Sequence, residues 1–283
     1  NESEYGMNQH SVWPHVDRQL PRFHALSDAV WAVPETCYAE HASVALHVAE
    51  LEHQGFRITR NVAEIPTAVV GEWGDEGPVI AFLGEYDALS ALSQEADVDR
   101  PSPIEEGANG HGCGHNLLGA AAMLAAASVR DWLEETGTKA RVRYVGCPAE
   151  EGGSAKTFMV KAGVFEDVDV AITWHPAAFA NVMRSSSLAA ARLDFTFTGR
   201  ASHAAASPHL GRSALDAVEL MNVGVNYLRE HMSDQARIHY AYLDAGGISP
   251  NVVQASAKVR YVVREPRTRA MMSLVERVKQ VAE

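Results

Sequence analysis

The segment PVIAFLGEYDAL, residues 78–89, decides the fold of this chain. Its first half is almost continuously apolar up to Gly84, which is typical of a strand covered on both faces. Two shorter segments rich in β-branched residues precede it, FRITRNV at 56–62 and TAVVGEW at 67–73. GDEG at 74–77 predicts the turn between the last two strands. The sequence therefore predicts a sheet with a buried strand near its middle.

Helical patterns lie on both sides of this segment. Upstream, apolar residues recur at helical spacing in LPRFHALSDAVWAVPETC, which stops at Pro34, and in HASVALHVAELEHQG, which ends at Gly55. Downstream, the sequence predicts a small-residue helix from about Asn116 to Glu135, then strand RVRYVGCP, helix AKTFMVKAG and apolar strand VDVAITWHP. This alternation predicts an α/β domain, with parallel neighbours wherever a helix makes the crossover.

The pattern changes from about Ser187. Alternating segments and amphipathic helices then follow in the order β-α-β-β-α, which is most of a ferredoxin-like unit without its last strand. We therefore expect a catalytic domain over residues 1–187 and a second, incomplete domain over residues 188–283.

Composition limits the functional classes. The 283 residues carry a net charge of -12, which argues against a nucleic acid or an anionic membrane as partner. No uninterrupted apolar run reaches the roughly 18 residues that a membrane span needs, and no signal pattern begins the chain. Three cysteines, Cys37, Cys113 and Cys147, fit a reducing compartment. We expect a cytoplasmic protein.

HGCGHN at 111–116 is the densest group of metal-ligand types. Cys113 and His115 lie two residues apart in a Gly-rich turn that opens a helix, and a thiolate with an imidazole binds divalent transition ions well. By itself the pattern also fits a buried cysteine beside a polar capping turn.

PAEEGG at 148–153 and TWHP at 173–176 add further ligand types at strand ends. Glu150 and Glu151 would repel each other unless a cation holds them, although a solvated acidic turn is the alternative. A single strand-end His175 is more often structural than a ligand. Three strand ends that each bear ligand types, at the edge where open α/β sheets place ligands, together predict a metal centre.

These segments resemble the M20 metallopeptidases, specifically the amidohydrolase branch that includes hippurate and indole-acetyl-amino-acid hydrolases. The resemblance rests on His111 to Asn116, on Pro148 to Gly152, on His175, and on the pattern Gly-x-x-x-His-Ala-Ala from Gly199 to Ala205. It implies a zinc-peptidase-like α/β domain, with helices on both faces of a mixed sheet, and an inserted ferredoxin-like lid or dimerisation domain. Asn116 departs from the Asp that most of the branch carries.

The resemblance also implies roles for single residues. Two divalent ions, Mn²⁺ or Zn²⁺, would be held by Cys113, His115, Glu151 and His175. Glu150 would be the general base and acid, and Asp87 would orient a ligand. His203 would polarise the scissile carbonyl in a neighbouring protomer, and Asn251 and Arg264 would hold the substrate carboxylate.

The function implied is hydrolysis of the amide bond of an acyl-amino acid, with p-aminobenzoyl-glutamate as the first expectation and other acyl-amino acids of the branch as alternatives. The expected partners are the small-molecule substrate and either a second copy through the lid or a homologous subunit. The family's last ligand, a histidine in a C-terminal segment, has no counterpart here. A further hypothesis is therefore that this chain acts as an inactive metal-binding or dimerisation module.

Overall fold

The computed structural model describes residues 3–182 and 186–283. The chain divides into two units, the first ending at Ala180 and the second beginning at Asn181. The described part of the chain contains no helix long and apolar enough to cross a membrane.

The first unit is a five-stranded mixed sheet with helices on both faces, as predicted from the sequence. Its elements are α1 (Ser3–Trp31), α2 (His41–His53), β1 (Arg57–Arg60), β2 (Val69–Trp73), β3 (Val79–Gly84), α3 (His115–Thr136), β4 (Arg141–Gly146), α4 (Ala155–Lys161) and β5 (Val170–Ile172). The strand order is β1-β2-β4-β3-β5. β3 is parallel to both β4 and β5, whereas β2 is antiparallel to β1 and β4.

Alternate residues of the central strands enter two separate cores. Phe82 and Tyr144 pack with α1, α2 and α3, while Leu83 and Val145 pack with α4 on the other face. Because both faces are covered, the continuous apolar run of β3 is explained by its position.

Two predicted elements differ from the structure. The first helix begins at Ser3 rather than near Leu20, and it contains Pro14 and Pro21 on its exposed side. Packing of its apolar residues against the core outweighs the low helix propensity of proline. The last strand of this unit is only three residues long and exposed, because it pairs with β3 alone among the described residues. His175 therefore lies beyond the strand, not at its last position.

The second unit is a three-stranded antiparallel sheet with two helices, and its β-α-β-β-α order agrees with the prediction. Its elements are β6 (Ala189–Thr198), α5 (Ala214–Leu228), β7 (Arg237–Asp244), β8 (Ser256–Glu265) and α6 (Thr268–Ala282). The strand order is β6-β8-β7. Burial alternates along β8, whose inward residues form a core with both helices.

Candidate metal centre

The first unit places ligand-type side chains at one edge of its sheet. Glu85 follows β3, the pair Glu150 and Glu151 follows β4, and His175 follows β5. These three strands are neighbours and mutually parallel, and Gly84 pairs with Gly146 at their carboxyl ends. The loops that leave these strands therefore start side by side, at the edge where α/β sheets bind ligands.

The turn before α3 brings Cys113 and His115 to the same edge. Gly114 has φ +75°, a left-handed conformation that glycine adopts without strain, and the helix begins at the next residue. His111, in contrast, is buried and its Nε2 lies 3.1 Å from the carbonyl oxygen of Val30. It thus binds the backbone of α1 while the two later residues face the strand ends.

A buried carboxylate holds the turn that carries the two glutamates. Ala149 is fully buried and has φ +55°, which is unusual for a residue with a side chain. Its backbone N–H donates a hydrogen bond of 2.8 Å to Oε1 of Glu40, which is also fully buried. We attribute the conformation of this turn to that bond, since the left-handed backbone needs compensating contacts.

Asp87 fixes the orientation of His115. Nδ1 of the imidazole lies 2.9 Å from Oδ1 of Asp87, and Oδ2 of Asp87 accepts a 2.9 Å hydrogen bond from the backbone N–H of Glu151. An ionised carboxylate can only accept, so Nδ1 carries the proton and Nε2 of a neutral ring presents a lone pair. This arrangement prepares a histidine for binding a metal through Nε2.

The hydrogen bonds around Asp87 also change its protonation. Burial raises the pKa of Asp87, but the hydrogen bonds from His115 and Glu151 outweigh burial, and the pKa falls below its ordinary value. Burial lowers the pKa of His115, but the bond to Asp87 and the neighbouring carboxylates outweigh it, and the pKa rises. Asp87 therefore stays ionised as the acceptor for this ring.

Several ligand atoms converge in front of His115. Its Nε2 lies 3.1 Å from Oε2 of Glu85, 3.8 Å from Oε2 of Glu150 and 3.9 Å from Oε1 of Glu151. Nε2 of His175 lies 3.2 Å from Oε2 of Glu85 and 3.9 Å from Oε1 of Glu150. Ligand atoms bound at about 2.1 Å around a tetrahedral ion are roughly 3.4 Å apart, so these separations fit a shared ion.

Two groups of side chains could each hold an ion, with ligand atoms within 4.8 Å of one another. They are Cys113, His115 and His175, and Glu85, His115, Glu150 and His175. Sulfur, imidazole nitrogen and carboxylate oxygen together suit a divalent transition ion.

Unsatisfied polar atoms at this point support a cation. Oε2 of Glu85, Nε2 of His115 and Oε1 of Glu151 are buried and find no hydrogen-bond partner within the described ranges. Buried polar groups without partners are costly, and a positive ion in front of them would satisfy all three. The residues therefore fit a metal ion.

The thiol of Cys113 also depends on a cation. Burial and the charges of Glu151 and Glu150 raise its pKa to about 11. Burial and the charges of Glu150 and Asp87 raise the pKa of the Glu151 carboxyl as well, against the opposing effect of His115. Groups that share excess negative charge become ionised when a metal neutralises it, and the thiolate is the form that binds a metal.

The remaining predicted residues lie in the second unit. His203 is exposed, and its Nδ1 accepts hydrogen bonds from the backbone N–H groups of Ala205 and Ala206 at 3.2 and 3.1 Å. Its Nε2 therefore carries the proton. Asn251 lies beside it, because its carbonyl oxygen accepts from the N–H of Ala204 at 2.9 Å. Arg264 is exposed on β8.

Two residues at the centre were not predicted from the sequence. Glu85 is 1% exposed and belongs to the centre by its distances to both histidines. Lys156, on α4, forms an ion pair with Glu85. The strand-end rule that selected Glu150 would also select Glu85, since it directly follows Gly84. No sequence signal marks Lys156.

The profile of peptidase family M20/M25/M40 matches residues 81–283. One of the two similar subunits of p-aminobenzoyl-glutamate hydrolase from Escherichia coli is 52% identical over 268 residues, which are 95% of this chain and 55% of that protein. The other is 32% identical over 202 residues, which are 68% of this chain and 45% of that protein. The chain thus spans about half the length of these curated relatives.

A Bacillus subtilis protein described as a dinuclear metal binding peptidase of the M20 family has a similar fold. The TM-score is 0.63 at 22% identity, and the match covers 93% of this chain and 69% of that chain. At this identity the likeness shows the fold alone.

Proposed function

We propose a function from one established premise: the chain belongs to peptidase family M20/M25/M40. The proposed function is a metal-dependent amidohydrolase that cleaves the amide bond of an acyl-amino acid, with p-aminobenzoyl-glutamate as the substrate. The observation that carries this proposal is the convergence of Cys113, His115, Glu151 and His175 beside Glu150 at one sheet edge. The 52% identity to a p-aminobenzoyl-glutamate hydrolase chain supports the choice of substrate.

We assign the metal ligands as Cys113, His115, Glu151 and His175, for two divalent ions. When bound, such ions lower the pKa of a water molecule and polarise a carbonyl group. Imidazole and thiolate favour Zn²⁺, whereas carboxylates also accept Mn²⁺, so the donor set is compatible with both ions. Asp87 has the supporting role, because it fixes the ring and proton of His115.

Glu150 is the proposed general base and acid. Its side chain is 34% exposed, compared with 20% for Glu151, and it lies within 4 Å of the Nε2 atoms of His115 and His175. The more accessible carboxylate can take a proton from water and deliver it to the leaving nitrogen of the amide. The more buried Glu151, whose Oε1 finds no hydrogen-bond partner in the described part of the chain, is better suited to ligation.

His203 is the proposed donor to the developing oxyanion. Its Nε2–H is free of the two backbone hydrogen bonds that engage Nδ1. A fixed N–H donor stabilises charge that grows on the carbonyl oxygen during attack. The exposed Asn251 and Arg264 are the proposed partners of the substrate carboxylate, for which a guanidinium is well suited.

The proposed assembly is either a homodimer through the second unit or a complex with a homologous subunit. The similarity of this chain to both components of one two-component hydrolase favours the second arrangement. The expected location is the cytoplasm. The net charge of -12 disfavours nucleic acid and anionic membranes as partners.

The test is hydrolysis of p-aminobenzoyl-glutamate by the full-length protein with Mn²⁺ or Zn²⁺, alone and with a homologous partner chain. Release of p-aminobenzoate that chelation abolishes is the expected result. Cleavage of hippurate or indole-acetyl-amino acids in its place would change the substrate class. A protein that binds metal but cleaves no acyl-amino acid in either form would support the binding-module hypothesis.

A further inference from the structure

Glu85 is a buried carboxylate whose two oxygens face different partners. The residue is 1% exposed and comes directly after β3. Oε1 contacts the ammonium of Lys156, while Oε2 lies 3.1 Å from Nε2 of His115 and 3.2 Å from Nε2 of His175. The carboxylate therefore stands between one cation of the chain and the two imidazoles of the centre.

The position of Oε2 is not that of a purely structural ion pair. In such a pair, both oxygens usually find donors, because a buried charge needs hydrogen bonds as well as a counter-charge. Here Oε2 finds no hydrogen-bond partner among residues 3–182 and 186–283. It also faces the nitrogen of His115 that carries a lone pair when Nδ1 donates to Asp87. Two lone pairs directed at each other repel, and a cation between them removes the repulsion.

Lys156 supplies only part of the compensation that this region needs. Glu85, Asp87, Glu150 and Glu151 bring four carboxylates together around His115. The ammonium contacts Glu85 from the side of α4, and its side chain is 30% exposed. The ammonium can therefore hold Oε1 in place and leave Oε2 available to an ion.

We propose, on the premise of the metal centre in the proposed function, that Glu85 is itself a ligand of this centre, with Oε2 toward the ion and Oε1 held by Lys156. Lys156 is then a positioning residue. It fixes the orientation of the carboxylate and offsets its charge when no ion is bound.

The test compares metal affinity and thermal stability in the full-length protein for Glu85→Gln, Lys156→Met and the double variant. Affinity for Zn²⁺ and Mn²⁺ is measured by competition with a chelator, and the Tm is measured with and without metal. Glu50→Gln is the matched control, because Glu50 is also buried, pairs with Arg22, and belongs to the helix-packing side of the same unit.

Glu85→Gln is expected to lower metal affinity by at least about 10- to 100-fold, the range found when groups supporting a metal site are removed. Lys156→Met is expected to lower the Tm of the metal-free protein by several degrees, because it leaves the carboxylate buried without a cation. Saturating metal should restore most of that Tm, since an ion compensates the same charge. The double variant should lose this response to metal.

Four results would overturn the inference, each in a distinct way. Wild-type affinity in Glu85→Gln would show that the carboxylate is no ligand, while the metal centre of the proposed function stands. Wild-type Tm and affinity in Lys156→Met would remove Lys156 from the arrangement, and a lowered Tm that metal leaves unchanged would make the pair purely structural. If the wild type itself binds no divalent ion, the proposed function fails together with this inference.

Discussion

Nδ1 of His115 lies 2.9 Å from Oδ1 of Asp87, and both side chains are fully buried. The same Asp87 carboxylate accepts the backbone N–H of Glu151, so one side chain fixes the start of α3 relative to the turn after β4. Asp87 thereby sets both the direction of a proposed metal ligand and the position of its neighbour.

Asp87→Asn should lower metal affinity by about 10- to 100-fold without removing any ligand. The amide cannot accept from both His115 and Glu151 as two carboxylate oxygens do, so the ring loses its fixed orientation. Chelator competition with Zn²⁺ measures the change. Asp169→Asn is the control, because Asp169 also accepts a backbone N–H, that of Val79, but lies at the opposite end of β3. Equal affinities in both variants would contradict the supporting role.

Glu150→Gln and Glu151→Gln should separate proton transfer from metal binding. In Glu150→Gln we expect the metal content to remain and kcat to fall by about 10²- to 10⁴-fold, because general acid–base catalysis contributes on this scale. In Glu151→Gln we expect the metal content itself to fall. Elemental analysis and steady-state kinetics measure the two properties. Metal loss in the first variant and retention in the second would exchange the roles.

His203→Ala should reduce kcat by about 10²- to 10³-fold and leave the metal content unchanged, as loss of one donor to an oxyanion does. His209→Ala is the control, since His209 is an exposed histidine in the same connecting segment. The measurement is kcat and bound metal for both variants. An unchanged kcat in His203→Ala would exclude the proposed role of this donor.

His47 makes the stability of the first unit depend on pH. It is fully buried, and burial lowers its pKa from 6.5 to about 3. Between these values the unfolded chain binds the proton and the folded chain does not, so the contribution is complete above pH 6.5 and falls as the pH falls toward 3. The loss is about 1.4 kcal/mol per pH unit in the free energy of unfolding.

His47→Gln should remove this part of the pH dependence. Glutamine can still accept the hydrogen bond of 2.8 Å that Tyr144 makes to Nδ1 of His47. Urea unfolding from pH 7 to pH 4 measures the slope, with His24→Gln as control because His24 is exposed on α1. If His47→Gln keeps the slope of the wild type, another group is responsible.

The sheet and the edge that carries the ligands could be predicted from the sequence for one physical reason. The continuous apolar run before Gly84 marks a strand covered on both faces, and parallel strands bring their following residues together. Cys113, Glu150 and His175 could therefore be expected near one another before any coordinate was known. The bounds of α3 and β4 also agree closely with their patterns.

Other features depend on contacts between distant segments and have no local pattern. Lys156 is an ordinary helical lysine in the sequence, and only the packing of α4 beside β3 gives it Glu85 as a partner. The extension of α1 through two prolines likewise results from packing against α3, against the local propensity. Glu40 lies far in sequence from the turn that it holds at Ala149.

The pairing of Gly84 with Gly146 has a consequence for the order of folding. The two strands are separated along the chain by the whole of α3, and non-local parallel pairing of this kind forms slowly. Until it is complete, the start of α3 has its thiol and imidazole, but the carboxylates after β3 and β4 are elsewhere. Uptake of an ion would therefore report that the sheet has closed, and a nascent chain would acquire its ion only at the end of maturation.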